Sequence, residues 1–283
     1  MKFSKVLGYA LLRTVAFVCW ALFGNLLLAE TTDPSAGKEK HAESCESFFP
    51  AGSEEIVILI YPGFTAMDAL GPEYFLSCLT GAKVRLIAKT ATPVRSESGI
   101  YITPHLTFKD LPKNVDLFLV PGGASGTLAA LQDPETIDFI RSAGKASKIT
   151  GSICTGSLLL GAAGLLEGYE ATSHWQTVKL LPLCGAVPSS RRVVFDRDRT
   201  TAAGVTAGLD LALEIVRKYR GDQYARGVQL LAEYDPQPLF PGGGNPSTAD
   251  PEITGVLNEM HRPFIDQFDS ALRSARSDAA KRP

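Results

Sequence analysis

The residues best placed to do chemistry are the hexapeptide Gly151-Ser152-Ile153-Cys154-Thr155-Gly156. An apolar run leads into it, and a small-residue helical pattern follows it. Cys154 is therefore predicted at a strand-to-helix turn. A thiol there meets a helix N-terminus, whose partial positive charge favours a thiolate nucleophile. Gly151 and Gly156 permit the tight turn and close helix packing of a nucleophile elbow. A small buried core cysteine is the plain alternative.

Five other positions are candidate companions. Gly122 and Gly123, in Pro121-Gly122-Gly123 after an apolar run, can offer backbone N–H groups as an oxyanion hole. Asp68, five residues beyond Gly63, can hold or donate a proton if burial raises its pKa. Alternatively, it is a solvated residue at a helix start. Thr155 places a hydroxyl beside the thiol; alternatively, it only satisfies backbone groups. His174, beside Trp175, suits either a Cys–His dyad or a structural role.

The elements that must position them alternate. Ile56–Tyr61, Val84–Ala88, Asp116–Val120 and Lys148–Ile153 read as short buried strands. Val193–Phe195 and Thr200–Ala203 follow the same pattern. Helical patterns run over 65–79, 134–144, 155–166, 206–219 and 222–233. Alternation of this kind predicts an α/β fold, a flavodoxin-like three-layer sandwich with a mostly parallel sheet. In such sheets, sites form at the carboxyl ends of strands.

The chain has 283 residues, with 28 basic against 30 acidic side chains and net charge −2. This balance argues against a broad nucleic-acid footprint. Five cysteines do not build a disulfide scaffold. With no Cys-x-x-Cys pair and no zinc-like His/Cys spacing, no metal site is expected. Residues 1–29 read as a signal peptide: Lys2 and Lys5 precede a 16-residue apolar run, Thr14–Ala29, that ends on a small residue. The run is short of the roughly 20 residues of a membrane span. An uncleaved anchor in residues 14–29 is the alternative and would be the chain's only membrane contact. Cleavage removes Lys2, Lys5 and Arg13 and leaves net charge −5. Residues 30–52 read as a linker, 53–240 as the α/β domain, and 241–283 as a partly flexible extension. Export to the periplasm or medium predicts an oxidising compartment, in which Cys45, Cys78 and Cys184 are either paired or free.

Together these residues resemble the ThiJ/PfpI family of the class I glutamine-amidotransferase-like superfamily, over about residues 55 to 235. The resemblance rests on Gly63 with Asp68, on Val120–Gly123, on Ser152–Gly156, and on the run from Gly161 to His174-Trp175. It is closest to isocyanide-hydratase-like members, through Asp68, Ala203–Asp210 and Ala232–Pro238. It implies Cys154 as nucleophile, Asp68 as acid/base, Thr155 as a neighbouring hydroxyl, and Gly122 and Gly123 as oxyanion donors. His174 matches a site-proximal histidine whose role varies. The implied protein is a cofactor-free homodimer that hydrates a small electrophile such as an isocyanide. A ligand-binding sensor, and an amidase or glyoxalase-type enzyme on the same cysteine, remain open on this fold.

Overall fold

The computed structural model describes residues 47–281. The signal or anchor segment, most of the linker and Cys45 lie outside the described residues. The end of the linker does not: Phe49 packs edge-on against Tyr224 at 4.9 Å, and Gly52 N–H donates to Thr80 O at 2.8 Å. Packing contacts thus begin before residue 53.

Chain order runs β1 (Glu55–Leu59), α1 (Ala66–Ser77), β2 (Lys83–Ala88), the hairpin β3 (Val94–Arg95) with β4 (Tyr101–Ile102), β5 (Leu106–Thr107) and β6 (Val115–Val120). It continues through α2 (Ser125–Leu131), α3 (Pro134–Ala146), β7 (Ser147–Ile153), α4 (Gly156–Ala162), β8 (Glu170–Ala171) and a 3-10 helix over Val178–Cys184. It ends with β9 (Val187–Pro188), β10 (Val193–Asp196), β11 (Arg199–Ala202), α5 (Ala207–Leu231) and α6 (Pro251–Lys281). Seven strands form the main sheet in the order β10-β11-β7-β6-β1-β2-β5. All its pairs are parallel except β10 with β11.

This order places the site. β7, β6 and β1 are adjacent parallel strands, so their carboxyl ends open onto one crevice. Ile56 to Leu59 and Leu117 to Val120 are fully buried, because helices cover both faces of the sheet. The structure is therefore the α/β sandwich expected from the alternation.

The two helical patterns expected over 206–219 and 222–233 are the two runs of α5, separated at Gly221, whose φ is 82°. One expectation changes. The region 241–283 is not a loose extension: α6 buries Ile265, Phe268 and Leu272 against the core. Their spacing of three and four residues puts them on one helical face. Gln176 Nε2 donates to Leu257 O at 3.0 Å and ties α6 to the segment before the 3-10 helix. The compact domain thus continues past residue 240. Among the described residues, no helix is long and apolar enough to cross a membrane.

Candidate active site

Cys154 sits between β7 and α4 with φ of 58°, a left-handed conformation strained for a non-glycine residue. The surroundings hold it there. Its N–H donates to Ala203 O at 2.8 Å, at the end of β11. Its carbonyl accepts from Ser157 Oγ and Ser173 Oγ, each at 3.2 Å. The turn aims the thiol into the crevice instead of along the sheet. It also needs close approach of the neighbouring loop. A Cβ on Gly122 would lie 2.7 Å from Thr155 Oγ1 and 2.8 Å from Cys154 Cβ, so only glycine fits there.

Asp68 lies in the first turn of α1 and is fully buried. Its Oδ2 accepts the Gly122 N–H at 2.9 Å, while Oδ1 is buried without a hydrogen-bond partner. Burial is the main cause that raises its pKa to about 7, and the Glu97 charge adds to it. The Gly122 N–H opposes the rise, as does the Cys154 thiol, which acts on the carboxyl as a hydrogen-bond donor. Asp68 can therefore both take and give a proton near neutral pH.

The thiol departs from the sequence expectation. Burial, then the Asp68 charge, push its pKa well above the ordinary value; the Thr155 N–H and hydroxyl pull the other way. Cys154 is only 7% exposed. Desolvation of the thiolate outweighs a short helix of seven residues. Burial therefore favours the protonated thiol over the thiolate.

Gly122 and Gly123 differ from expectation too. Gly122 N–H holds Asp68, and Gly123 N–H donates to Thr155 Oγ1 at 3.1 Å. Both are engaged within the protein, which corrects the expectation of open oxyanion donors: they orient the acid and the hydroxyl. The Thr155 N–H, directed at the sulfur, is the backbone donor left for developing charge.

Thr155 is buried beside the thiol. Its Oγ1 meets Thr127 Oγ1 at 2.8 Å, and Thr127 Oγ1 meets the Tyr61 hydroxyl at 2.9 Å. Sequence reasoning passed over Tyr61, Thr127 and Glu97. Tyr61, a polar tip ending a buried strand, carried a weak signal; Thr127 carried none, because α2 was not foreseen.

His174 is not joined to this group. It makes no hydrogen bond to Cys154 or Asp68 among the described residues. Burial, and the charge of His261 on α6, lower its pKa. It lines a separate cleft of about 560 Å³ with Trp175, Arg192, Gly204 and Asn245. The described residues contain no His/Cys/Asp/Glu cluster able to hold a metal ion.

The sequence profile of the DJ-1/PfpI family matches residues 54–218. An isonitrile hydratase from Pseudomonas putida is 43% identical over 211 residues, which span 75% of this chain and 91% of that protein. The crystal structure of a THiJ/PfpI family protein from Pseudomonas syringae superimposes with a TM-score of 0.78 at 40% identity, covering 88% of this chain and 98% of that one. The transcriptional regulator GbdR of Pseudomonas aeruginosa is 27% identical over 192 residues, 64% of this chain and 51% of that protein.

Proposed function

Because the chain belongs to the DJ-1/PfpI family, we propose that it is a hydratase that adds water to a small electrophile of the isocyanide class through Cys154. The observation that carries this reading is the buried Cys154–Asp68 pair, with a carboxyl titrating near neutrality against a thiol whose protonated form burial favours. The similarity to an isonitrile hydratase supports the substrate class.

In the proposed sequence, Asp68 takes the thiol proton as the sulfur electron pair bonds to the terminal isocyanide carbon. Asp68 then returns that proton to the same carbon, giving a thioimidate on Cys154. Asp68 next accepts a proton from water as the water oxygen attacks the thioimidate carbon. Asp68 passes that proton to nitrogen; as the C–S bond breaks, the new hydroxyl's proton moves through Asp68 to the leaving Cys154 sulfur, which releases an N-substituted formamide and restores the thiol. The balance is isocyanide plus water to formamide. Cys154 acts as the nucleophile and Asp68 as acid and base, and the chain's own groups suffice.

The proposal includes a homodimer. Met67, Leu70 and Tyr74 form an exposed stripe on α1, the helix that carries Asp68. Apolar side chains at such spacing suit burial against a second copy.

Purified protein incubated with an alkyl isocyanide should release the formamide, and Cys154→Ala should not. Full turnover by Cys154→Ala would overturn the mechanism. A covalent adduct on Cys154 without turnover would favour a ligand-sensing role.

A further inference from the structure

The loop from Ala203 to Thr206 holds the Cys154 N–H, and one residue holds that loop at both ends. Arg192 stands at the open end of the β10–β11 hairpin, one step beyond the Val193–Ala202 pair. Its carbonyl accepts the Ala203 N–H at 2.9 Å. Its side chain reaches the other end, where Nη2 donates to Thr206 Oγ1 at 3.0 Å. Ala203 O in turn accepts the Cys154 N–H at 2.8 Å, with Ala202 O further off at 3.1 Å.

The guanidinium is itself oriented. Its Nε donates to Asp210 Oδ2. Asp210 Oδ1 accepts from the Tyr234 hydroxyl at 2.5 Å. The Tyr234 ring packs edge-on against Phe75 at 5.5 Å, on α1, the helix that carries Asp68. Thr206 sits at the N-cap of α5, where a threonine ordinarily accepts a backbone N–H of its own helix. Here it makes no such cap bond and takes the Arg192 N–H instead. The Arg192–Asp210 pair leaves 54% of the arginine side chain and 31% of the aspartate side chain exposed. A pair so open to water adds little stability, so what it supplies is geometry.

We propose that Arg192, oriented by Asp210, is a positioning residue for the reaction: it clamps both ends of the Ala203–Thr206 loop and so fixes the Cys154 backbone in the turn that aims the thiol into the crevice. The φ of 58° at Cys154 is strained for a residue with a Cβ and persists only while its surroundings enforce it. Freed of the clamp, the loop carries the Cys154 N–H with it, and the sulfur shifts against Asp68. A misplacement of about 1 Å slows a reaction on the order of 10²-fold. This inference rests on Cys154 as the nucleophile.

Two measurements on the full chain test it: hydrogen exchange at the Cys154 amide, and kcat and KM for hydration of an alkyl isocyanide. Arg192→Met keeps the stem and removes the fork. Thr206→Val keeps the shape and removes the acceptor. Each should speed exchange at Cys154 roughly three- to tenfold, the scale of one lost hydrogen bond. Each should lower kcat about ten- to hundredfold with KM unchanged. Thr206→Ser keeps the hydroxyl and should hold both readings at wild type. Arg192→Met combined with Thr206→Val should be no worse than Arg192→Met alone, because both remove one contact. Glu214→Gln takes away the partner of Arg217 one turn along α5 and should change neither reading.

Unchanged exchange in either Arg192→Met or Thr206→Val would overturn the proposal. So would an intact kcat, whether it came with a lower urea midpoint, the mark of a structural role alone, or with a higher KM, which would set Arg192 against the substrate. Losses that add in the double variant would overturn it as well. A wild type that releases no formamide counts against the hydratase reading alone, and exchange at Cys154 then still decides the clamp.

Discussion

Asp68 is a carboxyl whose protonation is set by its burial more than by its neighbours. Its pKa near 7 means that the form able to accept the thiol proton grows in as pH rises. The kcat/KM for an isocyanide should therefore climb through about pH 7, as a property of the coupled Cys154–Asp68 pair. Asp68→Asn should flatten that rise and slow turnover roughly 10²–10⁴-fold. Stability follows the opposite sense. A folded-state pKa raised above the unfolded value stabilises fully below the unfolded value of 3.8, and that contribution is lost as pH rises through about 7. Above neutrality the wild type carries a buried carboxylate that Asn does not. Asp68→Asn should thus be the more stable protein in urea at alkaline pH, by up to about 4 kcal/mol. The gap should close toward pH 4. A gap independent of pH would show that Asp68 titrates elsewhere.

Elements make this chemistry possible by closing the crevice from several sides. The loops after β1, β6 and β7 approach one another so closely that Gly122 has no room for a Cβ. The loop after β11 anchors the Cys154 N–H. α6 acts from further away, packing on α4 and the 3-10 helix with Phe268 fully buried. Phe268→Ala leaves a cavity between these helices and should cost about 3–5 kcal/mol, read as a lower urea midpoint with unchanged slope. If α6 were a loosely attached extension, the same substitution would leave the midpoint where it is.

The whole molecule presents an apolar stripe on the outer face of α1. Tyr74→Lys places a charge in that stripe without touching the sheet. It should convert a dimer to a monomer by light scattering and leave the circular dichroism spectrum unchanged. A wild-type protein that is already monomeric at micromolar concentration would refute the homodimer.

The sequence by itself determined the parallel α/β fold, because strands buried on both faces leave continuous apolar runs such as Ile56–Leu59. It also determined the elbow at Cys154, because a cysteine between a strand and a small-residue helix has few other places to lie. Asp68 and the Gly122-Gly123 pair were legible through their order along the chain, which sets them after adjacent strands. Tertiary structure decided the rest. A backbone N–H satisfied by a partner 54 positions away, as Gly122 is by Asp68, leaves no local trace. Nor does the Tyr61–Thr127–Thr155 chain, whose hydroxyls lie 66 and 28 positions apart. The helix N-terminus is visible in sequence but the desolvation of the thiol is not, so the sign of its pKa shift emerged only with the fold. His174 lines a cleft with Trp175, Arg192 and Asn245, a placement its position in the sequence did not reveal. α6 was hidden by a largely polar composition in which Ile265, Phe268 and Leu272 are buried and Phe264 and Ala271 pack beside them.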